Sequence, residues 1–253
     1  NKDGGSLKAI KELKKICSYI DLRQNFVANI ILNAIVLWDF YCIDMFDKWK
    51  KAYGKNIRTY LEIVGEIEAL ISLTSITYVR DDYTFAKVNE CDDLKPEIDF
   101  KNLKHPLIKI EDAVGNGITL KGQTCVITGS NMSGKTTFLR SIGINLVLSY
   151  AGGPALASEF KTSVMKVLTS IRVEDNVNKG ISTFYAELLR IKDMTEYNKN
   201  KMPMICLIDE IFKGTNSADR IICATEAIKK LSQPWSITLV STHDFELCNL
   251  END

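Results

Sequence analysis

The stretch CVITGSNMSGKTTF, residues 125–138, sets two glycines, a lysine and two threonines directly behind a short apolar run. Gly129, Gly134, Lys135 and Thr136 keep the spacing G-x-x-x-x-G-K-[ST], which suits a polyphosphate. A triphosphate carries several negative charges. A glycine-rich turn lets successive backbone N–H groups reach its oxygens, and the helix that follows turns its positive end toward them. The expected cradle is Gly129, Ser130, Asn131, Met132, Ser133, Gly134, Lys135, Thr136 and Thr137. Lys135 is expected at the β and γ phosphates of ATP. The Thr136 hydroxyl is expected on Mg2+, a hard cation suited to oxygen ligands.

Further along, the apolar run MICLIDE ends in Asp209 and Glu210, which puts two carboxylates at the carboxyl edge of a strand, where ligands bind in open α/β sheets. Asp209 is the expected holder of the hydrated magnesium, and Glu210 the expected base that polarises a water toward the γ phosphate. A base of this kind contributes about 10²–10⁴-fold in rate. A second apolar run, SITLVST, delivers His243 to the same edge, where a neutral imidazole can sense the γ phosphate or orient the water. His105 precedes Pro106 in a turn-like setting and reads as structural. Ser182 and Thr183 open a helical stretch, and the residues alone leave two readings open: simple helix caps, or a functional pair.

These residues need a scaffold that brings strand ends together. From residue 105 onward, strand-like runs (TCVIT, 164–171, MICLID, SITLVST) alternate with helical stretches near 135–150, 183–197 and 218–231. That alternation predicts an α/β fold with a mainly parallel sheet covered by helices. Before it, residues 1–80 read as a helical segment with helices near 6–21, 24–53 and 56–77, and residues 81–253 as the α/β domain. In the first helix Leu7, Ile10, Leu13, Cys17 and Ile20 fall on one face. The second is apolar nearly all round and long enough to span a bilayer. Its polar stripe of Asn25, Asn29 and Asn33, followed by Asp39 and Asp44, instead predicts a helix packed between two protein neighbours, with membrane contact not expected. Residues 80–105 read as a connection with a short strand or two.

Across 253 residues, 32 Lys and Arg balance 32 Asp and Glu, so no global charge draws a polyanion and any nucleic-acid contact must be local. The basic cluster at 48–55, KWKKAYGK, reads as a solvated helix end. Cys17, Cys42, Cys91, Cys125, Cys206, Cys223 and Cys248 show no C-x-x-C spacing and no neighbouring histidine. Neither zinc nor a disulfide framework is expected, and a cytoplasmic setting is. A first residue of Asn rather than Met leads to the expectation of a piece of a longer protein.

Taken together the motifs resemble the MutS mismatch-repair family. TGSNMSGKTTFLR is similar to that family's T-G-P-N-M-[GS]-G-K-[ST]-T-x-[LM]-R, GISTFYAEL to its G-R-S-T-F-x-x-E, LIDEIFKGTNSAD to its [LM]-D-E-[LI]-G-R-G-T-[ST]-x-x-D, and STHDFEL to its [AS]-T-H-[YF]-x-E-L. The resemblance implies a P-loop NTPase of the ABC type that works as a homodimer, with Ser182 contacting the γ phosphate bound by the other subunit. It further implies DNA as the partner of the intact protein, and weak turnover by a monomeric piece. The chain departs from the family pattern at Ser130 for proline, at Ile181 for arginine, and at Phe212 and Lys213 for G-R. Ala113 and Val114 stand where the family stacks an aromatic residue on adenine. No mismatch-wedge motif F-x-E is recognised, which leads to the expectation of a MutS-related paralogue. Two rival readings are another ABC-type ATPase, against which the lack of an L-S-G-G-Q-like signature counts, and a nucleotide-gated scaffold acting on a protein or membrane partner.

Overall fold

Helix and strand signals divide between two compact units, Asn1–Ser72 and Leu73–Asp253. The computed structural model describes residues 5–91, 94–130, 132–171, 183–212 and 216–252.

The first unit is helical: α1 (Gly5–Asp21), a 3₁₀ turn (Leu22–Gln24), α2 (Phe26–Val36) and α3 (Trp38–Thr74). The expected break near residues 54–55 is absent. Gly54 costs a helix only about 1 kcal/mol relative to Ala, and no proline follows to end it. The chain breaks instead at Leu37, whose φ is 51°. Its carbonyl accepts the Phe40 and Tyr41 N–H groups at 3.0 and 3.2 Å. The Asn33 Oδ1 caps the new helix by accepting the Asp39 N–H at 2.9 Å.

The buried residues of α1 are Ala9 and Ile16, with Leu7, Ile10 and Cys17 exposed, so the inward stripe is rotated from the expected one. The small Ala9 lets Trp49 come close enough for its Nε1–H to donate to the Ala9 carbonyl at 2.9 Å. Nor does α2 pack on both sides: Phe26 is 76% and Ile35 75% exposed. Among the described residues no single helix is long and apolar enough to cross a membrane. The pair Asn29–Val36 and Trp38–Tyr78, bent by 79°, reaches that length and hydropathy only when counted together.

The second unit holds two four-stranded sheets where one mainly parallel sheet was expected. The first has the order β1 (Lys87–Asn89), β5 (Glu159–Ser163), β2 (Glu97–Leu103), β3 (Asn116–Lys121). Strand β2 runs antiparallel to both β3 and β5. The second sheet has the order β4 (Thr124–Thr128), β8 (Ser236–Thr242), β7 (Met204–Ile208), β6 (Lys166–Ser170) and is parallel throughout. Helices α4 (Lys135–Tyr150), α5 (Thr183–Asn198) and α6 (Ser217–Leu231) connect these strands.

Side chains alternate across a strand, and β7 divides accordingly between two cores. Ile205 and Leu207 join Leu139, Ile142 and Leu146 of α4 and Phe100 of β2. Met204, Cys206 and Ile208 join Ile191 and Met194 of α5 and Ala224 and Ile228 of α6. Strands β7 and β8 are buried along their whole length, which explains their near-continuous apolar sequence. Register then sets the functional edge. Thr128 pairs with Thr242, and Ile208 with both Val240 and Ser170, so β4 and β8 end together two residues beyond β7 and β6, and Asp209 and Glu210 come to lie beside the last residues of β8.

Candidate functional site

The turn after β4 reverses sharply into α4. Gly134 sits just before the helix at φ 90°, with open space where a Cβ would stand, so glycine is required there by conformation and not by crowding. Lys135 opens the helix and is 8% exposed. Its Nζ donates to the Gly129 and Ser130 carbonyls at 2.8 and 2.9 Å, which folds the ammonium back over the loop. Met132 projects fully into solvent from a left-handed backbone, φ 62°. The next side chain, Thr136, points toward β7. Its hydroxyl donates to the Asp209 carboxylate, at 3.0 Å to Oδ1 and 2.8 Å to Oδ2.

Beyond β7, Asp209 continues the ladder by donating its N–H to the Ser170 carbonyl at 2.9 Å. Glu210 then turns into the left-handed region, φ 53°, a conformation that costs a non-glycine residue about 1–3 kcal/mol. Its N–H is held by Ser241, at 2.9 Å to Oγ and 3.1 Å to the carbonyl. The turned backbone aims Glu210 at the end of β8, where its Oε1 lies 3.0 Å from the Nε2 of His243. Phe212, also left-handed at φ 58°, donates its N–H to the buried Glu187 carboxylate at 2.6 Å and packs edge-on against Phe184 at 6.0 Å. Thus α5 braces the acidic turn.

A cavity of about 770 Å³ opens beside the phosphate-type loop. Gly129, Ser133, Gly134 and Lys135 form one wall, and His105, Ile108, Ala113 and Val114 stand in the other. His105, read from sequence as purely structural, therefore faces the cavity as well as tying its own turn, accepting the Leu107 N–H at Nδ1. Burial pulls its pKa below the ordinary histidine value and the Arg140 guanidinium adds to this. Arg80 crosses behind this wall and donates to the Ile108 carbonyl at 2.8 Å.

The structure thus brings Lys135, Thr136 and Asp209 into one connected group and Glu210 and His243 into another, joined by the peptide between Asp209 and Glu210. Asn131 and Ser182 lie outside the described residues. Sequence reasoning missed Ser241, Glu187 and the Arg220–Asp244 ion pair, which clamps the residue after His243 through two contacts of 2.7 Å. The register of β8 on β7 would have found Ser241, and the motif containing Glu187 was visible without a role for it.

A parallel sheet that ends one strand in a glycine–lysine turn and another in an acidic pair places the chain among α/β proteins with a polar site at the carboxyl edge of the sheet. Comparison with known proteins agrees: the family model for MutS domain V matches residues 125–253. The chain belongs to the MutS family. It is similar to the DNA mismatch repair protein MutS of Carboxydothermus hydrogenoformans, 28% identical over 210 residues covering 79% of this chain and 24% of that protein. It is also similar to the mitochondrial DNA mismatch repair protein mutS homolog of Sarcophyton glaucum, 31% identical over 79% of this chain and 21% of that protein. The DNA mismatch repair protein MSH3 of Vanderwaltozyma polyspora is 38% identical over 128 residues, 48% of this chain and 12% of that protein. The chain spans a quarter or less of the length of these curated relatives.

Proposed function

We propose that this chain is the ATP-binding and ATP-hydrolysing part of a MutS-type protein, a P-loop ATPase unit of the ABC type with helices ahead of it. One observation carries the reading: the Thr136 hydroxyl and the Asp209 carboxylate meet at 2.8 and 3.0 Å, beside the lysine that opens α4. Both side chains offer oxygen, the donor set that magnesium takes. Among the described residues no three His, Cys, Asp or Glu side chains are grouped to hold a metal, so water and phosphate oxygens must complete the shell. Metal binding should therefore follow nucleotide binding. When bound, magnesium neutralises charge on the β and γ phosphates.

The chain's own residues divide the remaining work. Loop N–H groups and Lys135 hold the triphosphate once Nζ exchanges its carbonyl partners for phosphate oxygens, a charge-assisted contact roughly twice as strong as a neutral one. Glu210 takes the proton of the attacking water, and His243 holds the Glu210 carboxylate in place. By family resemblance Ser182 reaches the nucleotide of a second copy, so that ATP closes a homodimer and hydrolysis reopens it. In the intact protein that cycle would control the grip on DNA, as the names of the similar proteins suggest. Glu210→Gln should keep ATP binding and lose most turnover, and an unchanged turnover would remove Glu210 as the base.

The exposed side chains of α2 favour a second reading, a nucleotide-gated scaffold whose helices act on a protein or membrane partner. DNA affinity measured against salt separates the two, since phosphate contacts weaken as salt rises.

A further inference from the structure

We infer that Ser241 is a positioning residue that ties the magnesium-holding carboxylate to the catalytic one, an inference that rests on the ATPase reading above. Ser241 lies in β8, on neither element that carries the two acids, and it is fully buried. Its Oγ donates to Asp209 Oδ1 at 2.6 Å and accepts the Glu210 N–H at 2.9 Å. A hydroxyl has one proton to give, and here the direction is fixed: a carboxylate accepts only and an amide N–H donates only. The run Glu210 N–H to Ser241 O–H to Asp209 is therefore a directional chain whose bonds polarise one another in the dry interior.

The two carboxylates have different needs. Asp209 also accepts the Thr136 hydroxyl, on both oxygens, and Thr136 must turn part of its oxygen toward a cation when one arrives. Ser241 is the partner that keeps Asp209 oriented through that exchange, because Ser241 is fully buried and its hydroxyl is already committed to Asp209 Oδ1. Glu210 has a left-handed backbone, and the same Ser241 oxygen secures its N–H. An alanine at 241 retains the fold around it, since the Ser241 carbonyl still accepts the Glu210 N–H at 3.1 Å and the ladder bonds are untouched. What it removes is the link between the two acids.

The test is calorimetric ATP binding by this chain, with EDTA and across a magnesium titration, together with steady-state turnover. For Ser241→Ala the magnesium concentration that half-saturates ATP binding should rise by about three- to tenfold, and kcat should fall by a similar factor. Metal-free ATP affinity should stay as in the wild type, because Lys135 and the loop are unaltered. Ser241→Thr, which keeps the hydroxyl, should restore the magnesium dependence. An unchanged magnesium midpoint in Ser241→Ala overturns the inference, as does a parallel loss of metal-free affinity or a failure of Ser241→Thr to restore it. A wild-type chain that binds no ATP at any magnesium concentration removes the ATPase reading itself, and the role of Ser241 with it.

Discussion

Glu210 and His243 meet at the carboxyl edge of two adjacent parallel strands, with Oε1 3.0 Å from Nε2. Each follows a buried strand, and neither reaches the other without the left-handed turn at Glu210. On the proposed ATPase reading, the pairing gives His243 the task of holding the carboxylate that handles the water. His243→Ala should lower turnover by about tenfold while leaving ATP affinity near that of the wild type, a loss below the roughly 10²–10⁴-fold contribution of a base, since His243 assists the base and does not replace it. Equal losses in affinity and turnover would place His243 in nucleotide binding.

The Arg220–Asp244 pair positions the same histidine from behind. Asp244 follows His243 directly, and Arg220 grips it with two contacts of 2.7 Å from α6. That helix is fixed at its start by Asn216, whose Oδ1 accepts the Asp219 N–H at 2.9 Å. A double-mutant cycle of Arg220→Ala and Asp244→Ala, read on turnover, should give a coupling of about 1–2 kcal/mol, as contacting residues do. Additive effects would mean that the pair does not act on the site as a unit.

Arg80 and Lys104 both contact the Asp82 carboxylate, at 2.8–2.9 Å, and Asp82 is 25% exposed. The Arg80 hydrogen bond holds the Asp82 pKa far below the ordinary carboxylate range. Partial burial opposes this and Lys104 reinforces it. A depressed folded pKa gives stability that is fully present above the unfolded value near 4 and lost as pH falls toward the folded one. Asp82→Asn should therefore cost about 2 kcal/mol in urea denaturation, less than a fully buried pair because water reaches the carboxylate. That gap should stay constant from pH 7 to pH 5 and narrow below about pH 4. A gap independent of pH would assign the loss to packing.

Much of the site was legible because its chemistry depends on local order along the chain. The glycine–lysine turn, the acidic pair after MICLI and the histidine after SITLVST each need a strand, a short turn and a fixed spacing, and β4, β7 and β8 fall where those runs predict. Helix α4 likewise begins at Lys135. What sequence could not supply was anything set by register or by distant packing. Ser241 matters only because β8 runs past the end of β7 and sets it beside Asp209 and Glu210, and Glu187 because α5 brings its carboxylate to the Phe212 N–H. The sheet of β1, β5, β2 and β3 was hidden for a similar reason, since β2, β3 and β5 are rich in polar residues and β5 returns to β2 from far along the chain. The break at Leu37 carries no proline or glycine to announce it, whereas Gly54, which looks like a stop, lies inside α3.

If a polyphosphate seats between the loop after β4 and the acids after β7, calorimetric titration of ATP with magnesium into the wild-type chain and into Lys135→Ala will register it. Saturable binding by the wild type, weakened at least about tenfold in the variant by loss of a charge-assisted contact, is the predicted result. Equal affinity in the two, or no binding by the wild type, would contradict it.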